Sequence, residues 1–277
     1  MKILDASTLI LSVEKRSKAY EQLREEMTDL KKALKGVADL GDEFTGKGAD
    51  NIKAFYGDLA LYTETYIDFI DMQKSFLDGV KGKLDDASLG GSTFIDEHFL
   101  ESQLKQGIQN NKDMVKEQKQ ALSTIFDDIS DLIELDVFSS QKVDEHLDDA
   151  NEKRKETIDE LHKIDNDLKT EYVKSEAIET HLKTFYAKMM VATGEGKNAQ
   201  PMYYDAKAFH ETDVYKSHDR IDAQVKAYLK VKKEEAEKRR IKELKAKLDD
   251  PSCISVDKYF EIVDEVGYDN LSYNQKM

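Results

Sequence analysis

Residues 1–200 contain no proline; the two prolines of this 277-residue chain are Pro201 and Pro251. Proline removes a helical N–H donor and clashes with the preceding turn, so it is the residue that most reliably breaks a helix. A stretch of this length without it permits long uninterrupted helices, and the apolar residues fall in step with that permission. Leu9, Val13, Arg16, Tyr20, Leu23, Met27, Leu30, Leu34 and Val37 follow one another by alternating fours and threes. Such spacing marks a heptad seam and predicts a helix from about Ser7 to Leu40.

Three glycines within Gly41–Gly48 predict a helix–helix turn. The seam resumes through Ile52, Tyr56, Leu59, Thr63, Tyr66, Ile70, Gln73, Leu77, Val80 and Leu84. This second helix carries an extra aromatic stripe at Phe55, Tyr62, Phe69 and Phe76, spaced by seven. One seam serves one neighbouring helix, so the stripe needs a second one. Either a third helix of the same chain supplies it, or a separate helical partner docks there.

Leu89-Gly90-Gly91 is the next break, with Ser92 or Thr93 as the expected cap of a third helix. Its seam is Leu100, Leu104, Ile108, Asn111, Val115, Gln118, Leu122, Ile125, Ile129 and Leu132. The polar members Asn111 and Gln118 cost stability and fix register. After a loop near 135–140, Val143, Leu147, Ala150, Ile158, Leu161, Ile164, Leu168, Tyr172, Leu182, Phe185 and Met189 predict one helix from Ser140 to about Ala192. At 1.5 Å per residue that rod is roughly 75 Å long, so an elongated domain is expected.

The expected fold is all-α: an elongated bundle of long antiparallel helices over 1–193, a linker at 194–214, a charged helix at 215–250 and a short helical tail at 251–277. Acidity divides along the same line. The chain carries 42 Lys/Arg and 57 Asp/Glu, net −15, of which −14 belongs to residues 1–200. The sign reverses over 226–247, where ten Lys/Arg face four Glu. That segment reads as a solvated basic helix able to lie on an acidic surface.

No chemistry emerges from the motifs. A di-iron bundle needs Glu-x-x-His on two helices, and none of the six histidines has Glu three residues earlier; Asp159 and His162 give a single Asp-x-x-His. Cys253 is alone, so no internal disulfide forms. Gly46-Lys47-Gly48 lacks the spacing of a phosphate loop. No metal, cofactor or enzymatic activity is expected for this stretch. The net acidity argues against nucleic acid as partner. No apolar run approaches a membrane span, and Asp5 interrupts the short apolar start, so a secretory signal peptide is not expected.

Three segments in order resemble the LXG domain, the N-terminal delivery module of polymorphic toxins in Gram-positive bacteria. Lys2-Ile3-Leu4-Asp5 is similar to the family's K-x-L-D opening. Phe44-Thr45-Gly46-Lys47-Gly48-Ala49-Asp50-Asn51-Ile52-Lys53-Ala54-Phe55-Tyr56 is similar to L-x-G-K-G-G-D-A-I-R-x-F-Y. Phe94-Ile95-Asp96-Glu97-His98-Phe99-Leu100 is similar to F-I-x-E-x-F-L. Phe44 replaces the leucine of the motif, and Ala49 replaces its second glycine, which asks Ala49 to sit inside the helix and avoid positive φ.

The resemblance implies export by the type VII secretion system together with small helical WXG-like partner proteins. It makes Phe44, Gly46, Lys47 and Gly48 the turn of a WXG-like hairpin with Phe in place of Trp. Toxicity would belong to a variable C-terminal domain beyond residue 277, often a nuclease, held by an immunity protein. The family's Tyr-x-x-x-Asp/Glu export signal has two matches, Tyr172…Glu176 and Tyr215…Asp219; two to three would arise by chance in so acidic a chain. The rival reading is an intracellular coiled-coil scaffold, which predicts a stable homodimer. A pore-forming toxin would need an apolar hairpin that the sequence lacks.

Overall fold

The structure is a computed structural model and describes residues 1–194, 200–249 and 255–276. It is all-α apart from one small sheet. The order is β1 (Ile3–Asp5), α1 (Ala6–Ala38), α2 (Lys47–Asp86), β2 (Phe94–Asp96), a π-helical turn (Phe99–Leu104), α3 (Lys105–Asp128), α4 (Gln141–Val173), α5 (Glu176–Val191), a 3-10 turn (Pro201–Tyr203), α6 (Ala206–His210), α7 (Asp213–Lys216), α8 (His218–Leu248) and α9 (Val256–Val266). The chain divides into two compact units. One is Met1–Leu11 with Lys83–Lys169; the other is Ser12–Gly82 with Thr170–Met277.

In the first unit β1 and β2 pair antiparallel, with Ile3 opposite Asp96, Leu4 opposite Ile95 and Asp5 opposite Phe94. Each strand has the same plan. An exposed apolar residue, Ile3 or Phe94, is followed by a buried one, Leu4 or Ile95. Then comes an aspartate that caps the next helix. Asp5 accepts from Thr8 N at 3.0 Å and from the hydroxyls of Thr8 and Ser7 at 2.7 and 2.8 Å. Asp96 accepts from His98 N at 2.9 Å and Phe99 N at 3.2 Å. The cap expected at Ser92 or Thr93 is therefore Asp96, because a strand precedes the helix. Two motif segments some ninety residues apart thus form one two-stranded sheet.

Beyond that sheet, α3 and α4 run antiparallel. His162 meets Glu97, Arg154 Nη1 donates to the Leu100 carbonyl at 3.3 Å, and Lys112 meets Asp148. Lys119 Nζ donates to Ser140 Oγ at 3.3 Å near the loop. Burial is concentrated at the sheet end, where Ile95, Ile108, Arg154, Ile158, Leu161 and Ile164 are covered.

In the second unit α1 and α2 form an antiparallel hairpin with polar rungs at heptad intervals. Ser17 Oγ donates to Asp78 at 2.5 Å, Arg24 Nε to Asp71 at 2.5 Å, and Lys31 meets Glu64 at 3.0 Å. The hydrogen bond to Asp71 raises the Arg24 guanidinium's hold on its proton.

The rod expected from Ser140 to Ala192 is two helices. Ser175 closes α4, its hydroxyl donating to the Tyr172 carbonyl at 2.7 Å, and α5 starts at Glu176. The break turns Ile178, Leu182, Phe185 and Met189, all buried, into the core of the second unit.

The linker expected at 194–214 is folded from Pro201 onward. Asp205 caps α6 through Ala208 N, Thr212 caps α7, and Tyr204, Phe209 and Val214 are buried. Its aromatic residues outweigh the Gly/Pro signal at its start. Gly196, near the start of the expected linker, lies outside the described residues, as do Pro251 and Cys253.

The charged helix α8 is less solvated than its sparse apolar positions suggest. Ile221, Val225, Lys232 and Leu248 are buried. Lys232 Nζ lies 2.8 Å from Glu171 and 2.9 Å from Glu235, and Tyr228 donates to Glu171 at 2.7 Å. Gly79 and Gly82 of α2 leave room for this basic stretch. A Cβ there would come within 3.0 Å of Lys232 Nζ and 2.6 Å of Arg239 Cδ. The tail closes on itself: Ile262, Val263, Val266 and Leu271 pack against Leu248, with Ser255 capping α9 and Gly267 ending it at φ 82°.

Candidate functional site

The turn between α1 and α2 presents the four motif residues in a defined geometry. Phe44 N donates to the Gly41 carbonyl at 3.2 Å, and Lys53 Nζ returns from α2 to the same carbonyl at 3.2 Å. Gly46 takes φ 102°, a conformation that strains any residue with a Cβ. Its carbonyl accepts the first helical hydrogen bond, from Asp50 N at 2.9 Å. Lys47 is exposed, Gly48 lies inside the helix, and the half-buried Phe44 ring has Lys53 Nζ 6.0 Å from its centre. Ala49 is buried within α2 and has no positive φ, so alanine serves where the motif has glycine.

The aromatic stripe is covered by the chain itself. Phe55 meets Tyr204 edge-on with centroids 5.4 Å apart. Tyr62 packs on Phe185 and Tyr186 at 6.1 and 5.6 Å. Phe69 packs against the cluster of Ile178, Leu182 and Val225, and Phe76 meets Tyr172 at 5.7 Å. The stripe is therefore not an open docking surface. Its neighbours are α5, α8 and the segment 201–216, which is why Phe185 and Tyr204 are each only 1% exposed. Sequence reasoning missed that cover because 201–216 reads as linker.

One polar group is locked beneath that cover. Asp58, one turn after Phe55, accepts from Tyr204 Oη at 2.7 Å and from His210 Nε2 at 2.8 Å. Burial, and then the hydrogen bond to Asp58, push the Tyr204 phenol's pKa well up, so it is neutral and donating. Tyr215 stacks on the His210 ring at 4.0 Å.

Neither export-signal candidate lies on one helix. Tyr172 ends α4 while Glu176 begins α5, and Tyr215 belongs to α7 while Asp219 lies in the first turn of α8. Tyr172 is half exposed with its ring on Phe76; Tyr215 is half-buried, and burial raises its phenol's pKa.

The open apolar surface is elsewhere, on the far part of the α3–α4 hairpin. Ile108 is the one buried residue of α3. Met114, Ile125, Leu132, Ile133, Leu135, Phe138 and Val143 are exposed, Ile125 by 54% and Leu132 by 80%. Asn111 and Gln118 of the seam are exposed as well. A groove of about 620 Å³ runs between the two helices, lined by Val115, Lys119, Val137 and Ser140 among others. Scattered apolar exposure is ordinary; here it gathers around the loop end of one hairpin. The heptad spacing of α3 is legible in the sequence, and its lack of cover is not.

Among the described residues no cluster of His, Cys, Asp and Glu is arranged to hold a metal ion, and no helix is long and apolar enough to cross a membrane. His162, of the lone Asp-x-x-His, serves instead to bind Glu97. That hydrogen bond, with the Lys2 N–H at 2.5 Å, holds the Glu97 carboxyl below its usual range.

Residues 2–202 match the family described as the LXG domain of the WXG superfamily. The chain belongs to the LXG family. The matched stretch takes in the β1–β2 sheet, the Gly46 turn, the α3–α4 hairpin and α5. It ends at Met202, so the buried aromatics Tyr204 and Phe209 that close the second unit lie just past it. Beyond the LXG family match, the chain is 38% identical to "Toxin YwqJ" of Bacillus subtilis (strain 168) over 242 residues, 87% of this chain and 40% of that protein. The chain thus spans well under two thirds of that relative's length. No solved structure matches it.

Proposed function

We propose that this LXG chain is the targeting part of an antibacterial toxin exported by type VII secretion, and that it carries small helical WXG-like partners on the α3–α4 hairpin. One observation carries the reading: Met114, Ile125 and Val143 of that hairpin, with Leu132, Ile133, Leu135 and Phe138 of its loop, are exposed while the aromatic stripe of α2 is covered by the chain's own residues. An amphipathic helix from a partner fits such a groove through apolar anchors three and four residues apart. Residues 105–173 carry ten Lys/Arg against 18 Asp/Glu, so the fitting partner presents an apolar stripe flanked by lysine and arginine.

The name of the relative, Toxin YwqJ, supports a toxin in the same family. That relative is longer than the matched stretch, and we infer that a toxic activity and any immunity protein restraining it would belong to a separate domain. The export machinery would recognise the loaded complex; Tyr172 with Glu176, and Tyr215 with Asp219, remain the candidate signals.

The test is co-expression of the chain with small helical proteins encoded beside it, followed by pull-down. The double change Ile125→Asp with Leu132→Asp should abolish capture while the helical circular dichroism persists. Undiminished capture by that variant overturns the docking site. A purified chain that dimerises through this hairpin and captures nothing supports the scaffold reading instead.

A further inference from the structure

Three of the six histidines border one aromatic core in the second unit: His181 on α5, His210 on α6 and His218 at the start of α8. Their surroundings differ. His210 donates from Nε2 to Asp58, and it keeps that donor whether neutral or cationic. His218 Nδ1 sits 3.3 Å from Thr65 Oγ1, a hydroxyl that can donate or accept. His181 is 7% exposed, and its Nε2 is buried with no hydrogen-bond partner.

The groups around His181 favour its neutral form. From α8 come His218, ring centroid 6.1 Å away, and the guanidinium of Arg220. From α7, Asp213 lines the same shallow cleft of about 740 Å³ with Val214 and Ser217. The own helix brings Glu176, Thr180 and Thr184 to that cleft. From α2 come Thr65, bound to His218, and the phenolic rings of Tyr62 and Tyr66, which pack on Ile178 and Leu182. Among the described residues no hydrogen-bond partner reaches the buried nitrogen, so a proton added to His181 would sit desolvated beside the Arg220 guanidinium and the His218 ring. Burial first, then His218 and Arg220, hold its pKa below the usual imidazole range.

We propose that the His181–His218 contact is an acid-sensitive joint: acidification releases α5 from α8 while the rest of the unit stays folded. The folded chain binds the His181 proton less readily than the unfolded chain does. The contact is therefore at full strength above about pH 6.5 and weakens as pH falls below that value. A second contact of α8 titrates the other way. Burial, and then Asp222 of α8, push the Asp68 carboxyl of α2 up to about 6. Its repulsion from Asp222 is lost as it protonates. Acid thus weakens the hold of α8 on α5 and tightens its hold on α2, which makes the response local.

Hydrogen exchange of the full chain at about pH 7.5 and about pH 5, corrected for intrinsic rates, brackets the ordinary imidazole value and tests this. Segments 176–191 and 218–229 should lose protection several-fold at the lower pH. Segment 256–266 should hold. His181→Phe, which keeps the aromatic contacts, should remove the loss. Equal protection of 176–191 in the wild type at both values overturns the proposal, as does a loss in His181→Phe equal to the wild type's. Should that variant not fold, an NMR titration of His181 in the wild type decides. A midpoint below that of a histidine in an unstructured peptide supports the joint, and one at or above it refutes it.

Discussion

The α2 helix and the α3–α4 hairpin begin from the same kind of sequence and end differently. Both carry apolar residues at heptad spacing, and both exceed what one antiparallel neighbour can cover. On α2 the surplus is met within the chain. Phe55, Tyr62 and Phe69 are matched by Phe185, Tyr204, Phe209 and Val225 from segments over one hundred residues later, and Phe76 by Tyr172. At the loop end of α3–α4 it is not met: Ile125 and the loop residues Leu132 and Phe138 stand in solvent, although Ile158, Leu161 and Ile164 are buried nearer the sheet. A heptad pattern states that a helix needs cover; it does not say which chain supplies it.

That contrast can be broken by mutation. Phe185→Ala removes a ring that touches Tyr62, Phe209 and Tyr215, and should cost about 3–5 kcal/mol in urea unfolding. Ile125→Ala on the open hairpin should stay within about 0.5 kcal/mol. Similar costs at the two sites would show that the hairpin is covered or the stripe is not.

Nearly as large is Lys232→Ala, which removes one member of the buried Lys232–Glu171 pair and should cost about 3–5 kcal/mol. Lys232→Met, which keeps the volume but not the charge, does not spare that cost; only the pair Lys232→Met with Glu171→Gln should regain much of it. Thermal melts of the three variants check the order.

Gly46→Ala forces a Cβ into φ 102° and should cost about 1–3 kcal/mol. Gly48→Ala, inside the helix with open space at its Cβ, should be neutral or slightly stabilising.

The smallest effect is electrostatic. Asp68 has a folded pKa raised to about 6. Its contribution is most favourable below the unfolded carboxyl value and is lost as pH rises through about 6. Asp68→Asn should therefore raise the melting temperature at neutral pH and lose that advantage at about pH 4, near the unfolded value. An equal shift at both values would rule out the carboxylate repulsion.

Much of the helical plan was legible. The seams of α1, α2 and α3, the glycine turn at 41–48 and the caps at Ser255 and Gly267 follow from local rules of spacing and backbone freedom. What was not legible depends on distant partners. Three-residue strands are too short for an alternation signal, so Ile3–Asp5 and Phe94–Asp96 read as motifs and not as a sheet. The break at Ser175 has no Gly or Pro to announce it; its hydroxyl donates to the Tyr172 carbonyl. Residues 201–216 look like linker between a glycine-rich stretch and a charged helix, yet Tyr204, Phe209 and Tyr215 find Phe55, Phe185 and His210. The rungs Ser17–Asp78, Arg24–Asp71 and Lys31–Glu64 depend on the register of the hairpin, which the apolar spacing does not set.

The central claim is that partners find their site on α3–α4 because α2 is already covered. Hydrogen exchange of the full chain, alone and saturated with a small helical partner that it captures, measures this directly. The account predicts new protection confined to about residues 111–147, with segment 52–80 unchanged. New protection over 52–80 with none at 111–147 would contradict it.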